Sequence, residues 1–378
     1  MSTDVVVALV SDTWTDAVRR GFYSTADQTL TTLLAEPAVG TVLVADHPRG
    51  IASQVRRRLA GDRPAPRRPG LRGVRPVTLR TPPPLDEAAL RRRYAGYDRQ
   101  TAAAARWHGL RRPALVTFNL WHAAHAAHGW AGTRVFYAQD DESAIPSHAP
   151  HRAQTLAAYR AIARSGMAVV AVSEVLLERI DPTGPGLVVP NGVDAALWST
   201  PPPQRTPHGA PVALYAGTVD ARLDLDAFRA LAADGFAVRV AGPLVDADVR
   251  AALAAVPGVE LLGPRPRAEV VGLAQTADVC VLAHHRTPLT EAMSPLKLYE
   301  YLASGTPVVA TRLPGSAVAG DRVVWVEPGG DHVAGARAAL ALGRRAETDR
   351  LADVAALSWR ARHRPLLELL GVGAGVAA

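Results

Sequence analysis

The sequence predicts an α/β fold made of two parallel-sheet domains. Short apolar runs rich in Val, Ala and Leu alternate with Ala-rich helical stretches along all 378 residues. The alternation is interrupted by the proline-rich segment 199–211, STPPPQRTPHGAP. Apolar strands separated by helices are typical of parallel sheets covered on both faces. A chain of this length also exceeds one ordinary core, so we expect two domains.

In the first domain, residues 1–198, apolar runs predict strands and the stretches between them predict helices. The predicted strands are Val5–Val10, Thr41–Ala45, Val74–Leu79, Ala114–Phe118, Arg134–Ala138, Ala168–Val172 and Leu187–Val189. The predicted helices include Thr25–Leu34, Asp86–Trp107 and His151–Ser165. The stretch Arg56–Arg80 is dense in Arg, Pro and Gly, which predicts a mobile basic loop.

The second domain, residues 212–354, follows segment 199–211, whose prolines predict a stiff interdomain linker. Its predicted strands are Val212–Ala216, Ala237–Ala241, Val259–Leu261, Val279–Ala283, Pro307–Thr311 and Val323–Val326. Its predicted helices are Asp224–Asp234, Asp246–Ala255, Arg267–Thr276, Pro295–Ser304 and Asp331–Leu342. The end of the chain, 355–378, begins with a predicted helix, Ala355–Leu370, whose leucines favour packing back on the first domain.

Composition and charge restrict the class of protein. With 48% hydrophobic and 20% charged residues, the composition is that of a globular protein. No apolar run reaches the roughly 18 residues of a membrane helix, and the N-terminus lacks the basic region of a signal peptide. The single cysteine, Cys280, cannot form an internal disulfide, so a cytoplasmic location is expected. The net charge of +7 favours anionic partners.

One lysine, Lys297, stands among 42 basic residues. A site that needs a compact point charge cannot easily exchange Lys for Arg. Lys297 and Glu300 are three residues apart on the predicted helix Pro295–Ser304, so both lie on one face near its N-terminal end. Such an end attracts phosphate, and a carboxylate one turn on can accept hydrogen bonds from ribose hydroxyls. The spacing is equally compatible with an ordinary surface salt bridge.

Three segments together resemble a known family: VVPNGVDAALW, ALYAGTVDARLDLDAF and SPLKLYEYLASGTPVVAT. They are similar to group 1 (family four type) glycosyltransferases of GT-B architecture, and more narrowly to bacterial teichuronic-acid-type polysaccharide enzymes. The likeness covers Leu187–Arg322. It implies two Rossmann-like domains facing a cleft, a donor nucleotide held mainly by the second domain, retention at the anomeric carbon and no metal.

At matching positions the resemblance assigns contacts with the donor. Lys297 matches the residue that meets the diphosphate, and Glu300 matches the carboxylate that binds the ribose. Arg222 resembles a second cation for the phosphates, and Gly217 lets the backbone approach the ligand closely. Arg265 lies in the loop LGPRP, which resembles the loop beside the nucleobase.

The other acid of the family motif has no direct counterpart here. The first Glu of the Glu-x7-Glu pattern falls at Ala292, and Glu291 misses it by one residue. An altered loop would let Glu291 contact the sugar. We therefore keep Glu291 as a candidate.

Two adjacent carboxylates, Asp140 and Asp141, follow the predicted strand Arg134–Ala138. Sites in open α/β sheets form at the carboxyl ends of strands. The pair is therefore a candidate for orienting an acceptor hydroxyl or stabilising positive charge on the donor sugar. The alternative is that they cap the next helix.

Two patterns suggest a metal, and neither is predicted to bind one. His122, His125 and His128 are spaced by three, but no carboxylate or cysteine joins them, so a packed or solvated helix face is expected. Asp224-Leu-Asp226 looks like the DxD of other glycosyltransferases, but Asp at a helix start is ordinary capping.

The predicted function is transfer of a sugar from a UDP, GDP or dTDP donor to a glycan, lipid-linked or small-molecule acceptor, in cell-envelope or exopolysaccharide biosynthesis. No other cofactor is expected. Segment Arg56–Arg80 is expected to give peripheral contact with the inner face of an anionic membrane. Two alternatives remain: a nucleotide-sugar epimerase of the same fold, and a basic nucleic-acid-binding protein. The second is disfavoured because the 5% aromatic residues are not interleaved with the arginines.

Overall fold

The computed structural model describes residues 2–79, 86–204, 209–316 and 321–373. These residues form two compact units. The N-terminal unit contains the described residues of Met1–Pro190 and His363–Ala378, and the C-terminal unit contains those of Asn191–Arg362. Each unit is built on a parallel sheet, so the predicted α/β class is confirmed.

The sheet of the N-terminal unit has seven strands within the described residues, in the order β4-β2-β1-β6-β7-β8-β9. Its strands are β1 (Thr3–Ala8), β2 (Val39–Ala45), β4 (Leu71–Val74), β6 (Ala114–Thr117), β7 (Arg134–Ala138), β8 (Ala168–Ala171) and β9 (Gly186–Val188). A separate short ladder pairs β3 (Arg49–Gly50) with β5 (Val77–Thr78). Val6 of β1 lies opposite Leu43 and Leu115, and all three are fully buried. The parallel register places the carboxyl ends of these strands along one edge.

Helices and their caps connect these strands. The helices before the domain boundary are α1 (Trp14–Arg19), α2 (Thr25–Ala35), α3 (Ile51–Leu59), α4 (Glu87–Trp107), α5 (Leu120–His125), α6 (Arg152–Arg164) and α7 (Glu174–Ile180). Side-chain caps fix where several of them begin: Ser24 and Asp27 form a capping box on α2, and Asp86 caps α4.

The prediction of a mobile basic loop over Arg56–Arg80 is wrong for residues 56–59, 71–74 and 77–78, which are helix or strand. This stretch contains the end of α3 and the strands β4 and β5. Two of its arginines are held by carboxylates, of which Asp46 and Asp62 are buried. Arg57 pairs with Asp16 and Asp62, and Arg75 pairs with Asp46 and Asp62. Arg80 lies outside the described residues.

The sheet of the C-terminal unit has six strands within the described residues, in the order β12-β11-β10-β13-β14-β15. They are β10 (Val212–Ala216), β11 (Ala237–Ala241), β12 (Val259–Gly263), β13 (Val279–Leu282), β14 (Val308–Thr311) and β15 (Val323–Val326). The helices are α8 (Ala195–Trp198), α9 (Leu225–Ala233), α10 (Ala247–Ala254), α11 (Arg267–Thr276), α12 (Pro288–Ala292), α13 (Leu296–Ser304), α14 (His332–Ala341), α15 (Glu347–Leu357) and α16 (Trp359–Arg362). Every residue of β10 is buried, and this strand lies at the centre of the core.

The two boundaries between the units, at 190/191 and 362/363, differ from the predicted domain boundaries. Residues 191–198 belong to the C-terminal unit, where the Asn191 side-chain amide donates to the Ser294 carbonyl at 2.6 Å. The predicted helix Ala355–Leu370 breaks at Ser358, because the backbone there pairs with Val193 in place of helical bonding. The final helix, α17 (Arg364–Leu369), belongs to the N-terminal unit, where His363 contacts Thr32 at 2.8 Å.

Candidate functional site

Helix α13 of the C-terminal unit carries the charged pair predicted from the sequence. Pro295 is its N-cap residue, and Gly305 ends it with a left-handed φ of 74°. Its apolar residues Leu298 and Tyr301 are buried, so the helix is fixed against the sheet. Lys297 is the second residue of the helix, which places its side chain at the N-terminal end.

The Lys297 side chain is partly buried, and it lies directly against the turn after β10. A Cβ atom at Gly217 would collide with Lys297 Cε and Nζ, so a larger residue there would displace the end of the lysine side chain. Nζ donates a hydrogen bond to Tyr215 Oη at 2.5 Å and lies 4.4 Å from the centre of that ring. Burial, together with the nearby Arg222, lowers the pKa of Lys297 to about 7. In the part of the chain that the structure describes, no carboxylate forms an ion pair with this ammonium.

Arg222, the second predicted cation, belongs to the same cluster. It lies in the loop between β10 and α9, and its guanidinium pairs with Asp220 at 2.5 Å. Its Nη1 also lies 3.6 Å from Met293 Sδ, in the loop before α13. Lys297 and Arg222 therefore lie near each other beside the turn after β10, and Asp220 neutralises part of their positive charge.

Glu300 lies one turn beyond Lys297 and is 8% exposed. The nearest cation in an ion pair is Arg267, whose Nη2 is 3.6 Å from Glu300 Oε1 and which is also 3.8 Å from Asp194. Burial raises the pKa of Glu300 to about 7, against the opposing effects of Arg267 and Lys297. Among the described residues, Lys297 and Glu300 do not pair with each other. The alternative of an ordinary surface salt bridge is therefore wrong.

His284 is a member of this cluster that the sequence analysis missed. It follows β13 and is 2% exposed, and within the described chain neither of its ring nitrogens has a hydrogen-bond partner. Burial lowers its pKa, and Lys297 and Arg222 lower it further, so the imidazole is neutral. The available signal was its position at the carboxyl end of an apolar run, VCVLAHH.

Two other residues predicted to contact the nucleotide-sugar donor, Glu291 and Arg265, have neighbours outside the cluster around Lys297 and Glu300. Glu291, in α12, pairs with Arg286 at 2.6 Å. Ala292, the position that matches the family's first Glu, is completely buried. Arg265 follows β12, lies 4.0 Å from Glu269, and has a largely exposed side chain. Among the described contacts, neither Glu291 nor Arg265 touches Lys297 or Glu300.

The predicted carboxylates of the N-terminal unit differ from each other. Asp141 is fully buried and pairs with Arg179, and its Oδ1 accepts hydrogen bonds from the Ser143 backbone and hydroxyl at 3.0 and 2.7 Å. Tyr159 Oη lies 3.4 Å from the same oxygen. These bonds occupy the carboxylate, so Asp141 anchors the turn after β7 and does not suit a role in contacting substrate. Asp140 is exposed and stays a candidate.

The histidines also differ from expectation. His125 stacks on Trp121, but His122 and His128 are buried, and Asp98 from α4 lies 3.2 Å from His122 Nε2. The expectation that no carboxylate joins them is therefore wrong. By contrast, Asp224 caps α9 by accepting a hydrogen bond from the Asp226 backbone, as predicted.

A basic pocket lies at the carboxyl edge of the N-terminal sheet. Arg49 donates to the Ser11 carbonyl at 2.6 Å, but its Nε lacks a partner among the described residues. Arg93 donates to the Pro48 carbonyl, and its Nε and Nη1 also lack partners there. Burial, with these two cations, lowers the pKa of His47 to about 3. The pocket is lined by Thr13, His47, Arg49, Gln54, Arg57, Asp62 and Arg75.

Residues 210–344, which contain the whole cluster around Lys297 and Glu300, match the family described as glycosyl transferases group 1. The chain carries a group 1 glycosyltransferase domain. It is also 35% identical over 77 residues to a Bacillus subtilis (strain 168) protein described as a teichuronic acid biosynthesis glycosyltransferase, TuaH. That match covers 20% of this chain and 19% of the relative, so the chain matches about a fifth of the relative's length.

Solved structures extend the likeness to the whole fold. Sucrose-phosphate synthase from Thermosynechococcus elongatus superposes with a TM-score of 0.68 at 17% identity, covering 97% of this chain and 98% of that one. A trehalose-phosphate synthase (UDP-forming) from Burkholderia vietnamiensis gives 0.65 at 14% identity and covers all of both chains. At these identities the likeness shows the fold, which is GT-B. The predicted resemblance to group 1 glycosyltransferases of GT-B fold is therefore confirmed.

Proposed function

We propose that this protein transfers a sugar from a nucleoside diphosphate sugar to an acceptor, and that its C-terminal unit binds the donor. The observation that carries the proposal is Lys297, a partly buried ammonium at a helix N-terminus with no carboxylate pair in the described residues. A buried cation without a counterion is costly, and a diphosphate supplies the missing negative charge.

The neighbouring residues suit the rest of the donor. Arg222 can share the charge of the diphosphate with Lys297 if some of its N–H groups turn from Asp220 to the phosphate oxygens. Glu300 is positioned to accept hydrogen bonds from ribose hydroxyls. During transfer the bond from the anomeric carbon to the diphosphate oxygen breaks, and the two cations stabilise the charge that develops on the departing diphosphate. We propose that this takes place without a catalytic metal and with retention at the anomeric carbon.

UDP is the nucleotide that we propose first, because the relative from Burkholderia vietnamiensis is described as UDP-forming. For the acceptor we propose a molecule that carries a phosphate or another anionic group. Nitrogens that lack partners among the described residues support this choice. They belong to Arg49, which lines the N-terminal basic pocket, and to Arg93, which acts electrostatically on His47 of that pocket. A lipid-linked or sugar-phosphate acceptor in cell-envelope biosynthesis has the required charge.

Contact with an anionic membrane is supported by helix α3. Its apolar residues Ile51, Val55 and Leu59 are four apart and are 53%, 55% and 85% exposed, so they form one uncovered stripe. Arg56 and Arg58 lie on the same helix, and basic residues beside exposed apolar ones favour an anionic membrane surface. No described helix has the length and apolar character to span a membrane.

The membrane proposal is tested with liposomes of anionic and neutral lipids. The wild type should co-sediment with anionic liposomes, and added salt should weaken the association. Val55→Glu should bind less, whereas Val245→Glu, which changes an exposed valine of the other unit, should bind normally. Binding that ignores salt, or equal binding by both variants, would contradict the proposal.

The donor proposal is tested by thermal shift with UDP, GDP, dTDP, ADP and CMP. UDP should raise Tm more than the others, because a ligand that binds the native state stabilises it by mass action. Turnover of a UDP-sugar with and without a phosphorylated acceptor then separates transferase from epimerase, because an epimerase needs no acceptor. No shift with any nucleoside diphosphate would refute the donor site.

A further inference from the structure

The N-terminal unit contains a buried cluster that the proposed reaction does not use. Asp98 of α4, His122 of α5 and His128 after α5 each offer one ligand atom, and these atoms lie within 4.8 Å of one another. The three residues are 8%, 0% and 1% exposed. They come from separate parts of the chain, so their convergence is a product of the fold.

The atoms that face one another are only partly satisfied by the protein. His122 Nε2 lies at hydrogen-bond distance, 3.2 Å, from Asp98 Oδ1. His128 is held by a hydrogen bond to the backbone of His122, and its Nε2 has no partner among the described residues. With the ring proton engaged at Nδ1, Nε2 presents a lone pair toward a carboxylate, which is also an acceptor. His128 Nε2 is therefore a buried nitrogen without a donor among the described residues, and a proton or a cation would satisfy it.

Neighbouring side chains hold Asp98 and His122 in place. The Trp130 indole donates to Asp98 Oδ1 at 2.9 Å, and Thr117 Oγ1 lies 3.2 Å from His122 Nδ1. Partners of this kind orient the ligands of metal sites, since a ligating His bonds through its second nitrogen to a neighbouring group. The cluster is therefore organised around its own centre.

We propose that Asp98, His122 and His128 bind one Zn²⁺ ion. Two imidazole nitrogens and one carboxylate are an ordinary zinc ligand set, and water completes the tetrahedron in three-ligand sites. Ligands of a tetrahedral zinc ion lie about 3.3 Å apart. His122 Nε2 and Asp98 Oδ1 are 3.2 Å apart, so the ion would replace the proton of their hydrogen bond. The ion ties α4 to α5 and to the segment that follows α5. It takes no part in the proposed transfer, whose donor residues belong to the other unit.

The test is the metal content of untagged protein, followed by chelation and refilling with Zn²⁺. We expect about one zinc per chain, and a Tm lowered by roughly 5–10 °C on chelation and restored by zinc. His128→Asn and Asp98→Asn should lose the metal. Asn tolerates the left-handed backbone of position 128, where φ is 51°, so that variant should fold. His125→Ala, on the same helix as His122, should keep the metal.

A second measurement separates this inference from the proposed function. Zinc-free protein and His128→Asn should retain the UDP-induced rise in Tm. Co²⁺ in place of zinc should show the visible absorption of a tetrahedral site in the wild type and in His125→Ala, but not in Asp98→Asn. Wild type without stoichiometric zinc and without response to chelation would overturn the inference, as would equal metal loss in His125→Ala.

Discussion

The N-terminal end of α13 and the turn after β7 both place charged side chains in or near a protein core, but they differ in how the charge is balanced. At the turn, Asp141 is neutralised by Arg179 and receives hydrogen bonds from Ser143. At α13, Lys297 has only the Tyr215 hydroxyl among the described residues, and Glu300 has a guanidinium 3.6 Å away. Removing the partner of a buried, paired charge destabilises the fold, whereas a buried charge without a partner marks a candidate ligand site.

The largest expected effect is that of Lys297→Met. Transfer should fall roughly 10²–10³-fold, the typical loss when one preorganised charge-stabilising group is removed. Tm should nevertheless stay level or rise at pH 7, because a buried charge has been removed. The lowered pKa means that the wild type carries this cost fully below pH 7 and loses it as the pH rises towards 10, so the gap in Tm should close over that range.

The control for this variant is Arg229→Met, which removes an exposed cation of the same unit. It should leave activity and Tm unchanged, because surface pairs contribute little. A Lys297→Met protein that transfers sugar at the wild-type rate would end the assignment of the donor site.

The next effect is that of Glu300→Gln. The donor KM should rise roughly 10–100-fold, because a hydrogen bond from ribose to a carboxylate is exchanged for a weaker one to an amide. The variant should also be more stable above pH 7, where the raised pKa shows that the wild-type carboxylate is unfavourable. Measurement of KM with a UDP-sugar, beside Tm at pH 6 and pH 8, checks both statements. An unchanged KM would remove Glu300 from the ribose site.

Asp141→Asn should show the reverse pattern. We expect a loss of about 1–2 kcal/mol in the free energy of unfolding, because Arg179 loses its anionic partner. The folded fraction should still transfer sugar normally. Chemical denaturation and kcat per folded molecule give the two values. A variant of native stability with lost kcat would show that Asp141 acts on substrate after all.

The smallest effect is an exchange of protons when UDP binds. At pH 8 the Lys297 amine, with a pKa of about 7, is mostly neutral, and the diphosphate favours its ammonium, so protons are taken up. At pH 6 Glu300 is mostly protonated, and ribose favours its carboxylate, so protons are released. Calorimetry in buffers of different ionisation enthalpy should show this change of sign. Glu300→Gln should reduce the release at pH 6, and an unaltered release there would exclude Glu300 as its source.

Residues that begin or end helices explain which features the sequence predicted correctly. Pro295 and Gly305 mark the two ends of α13, so the shared face of Lys297 and Glu300 followed from spacing alone. Asp86 and Asp224 marked helix starts for the same reason. Signals of this kind lie within a few residues of the structure they determine.

Long-range pairing explains what the sequence did not predict. Arg179 is 38 residues from Asp141, and Asp98 is 24 residues from His122. No pattern of neighbouring residues in the sequence could therefore predict either contact. The order within residues 56–79 depends on carboxylates such as Asp16 and Asp46, which belong to other parts of the chain. The break at Ser358 likewise depends on distant pairing, with the strand-like backbone before α8.

The solitary lysine gives amine chemistry a single side-chain target in addition to the α-amino group. Acylating reagents and aldehydes find one side-chain amine in the whole chain. Near neutral pH a large share of that amine is unprotonated and therefore nucleophilic, unlike an ordinary lysine. Coupling of this side chain to a sensor surface or a dye would block the position beside Gly217, and Lys-C protease would cut the polypeptide once, within α13.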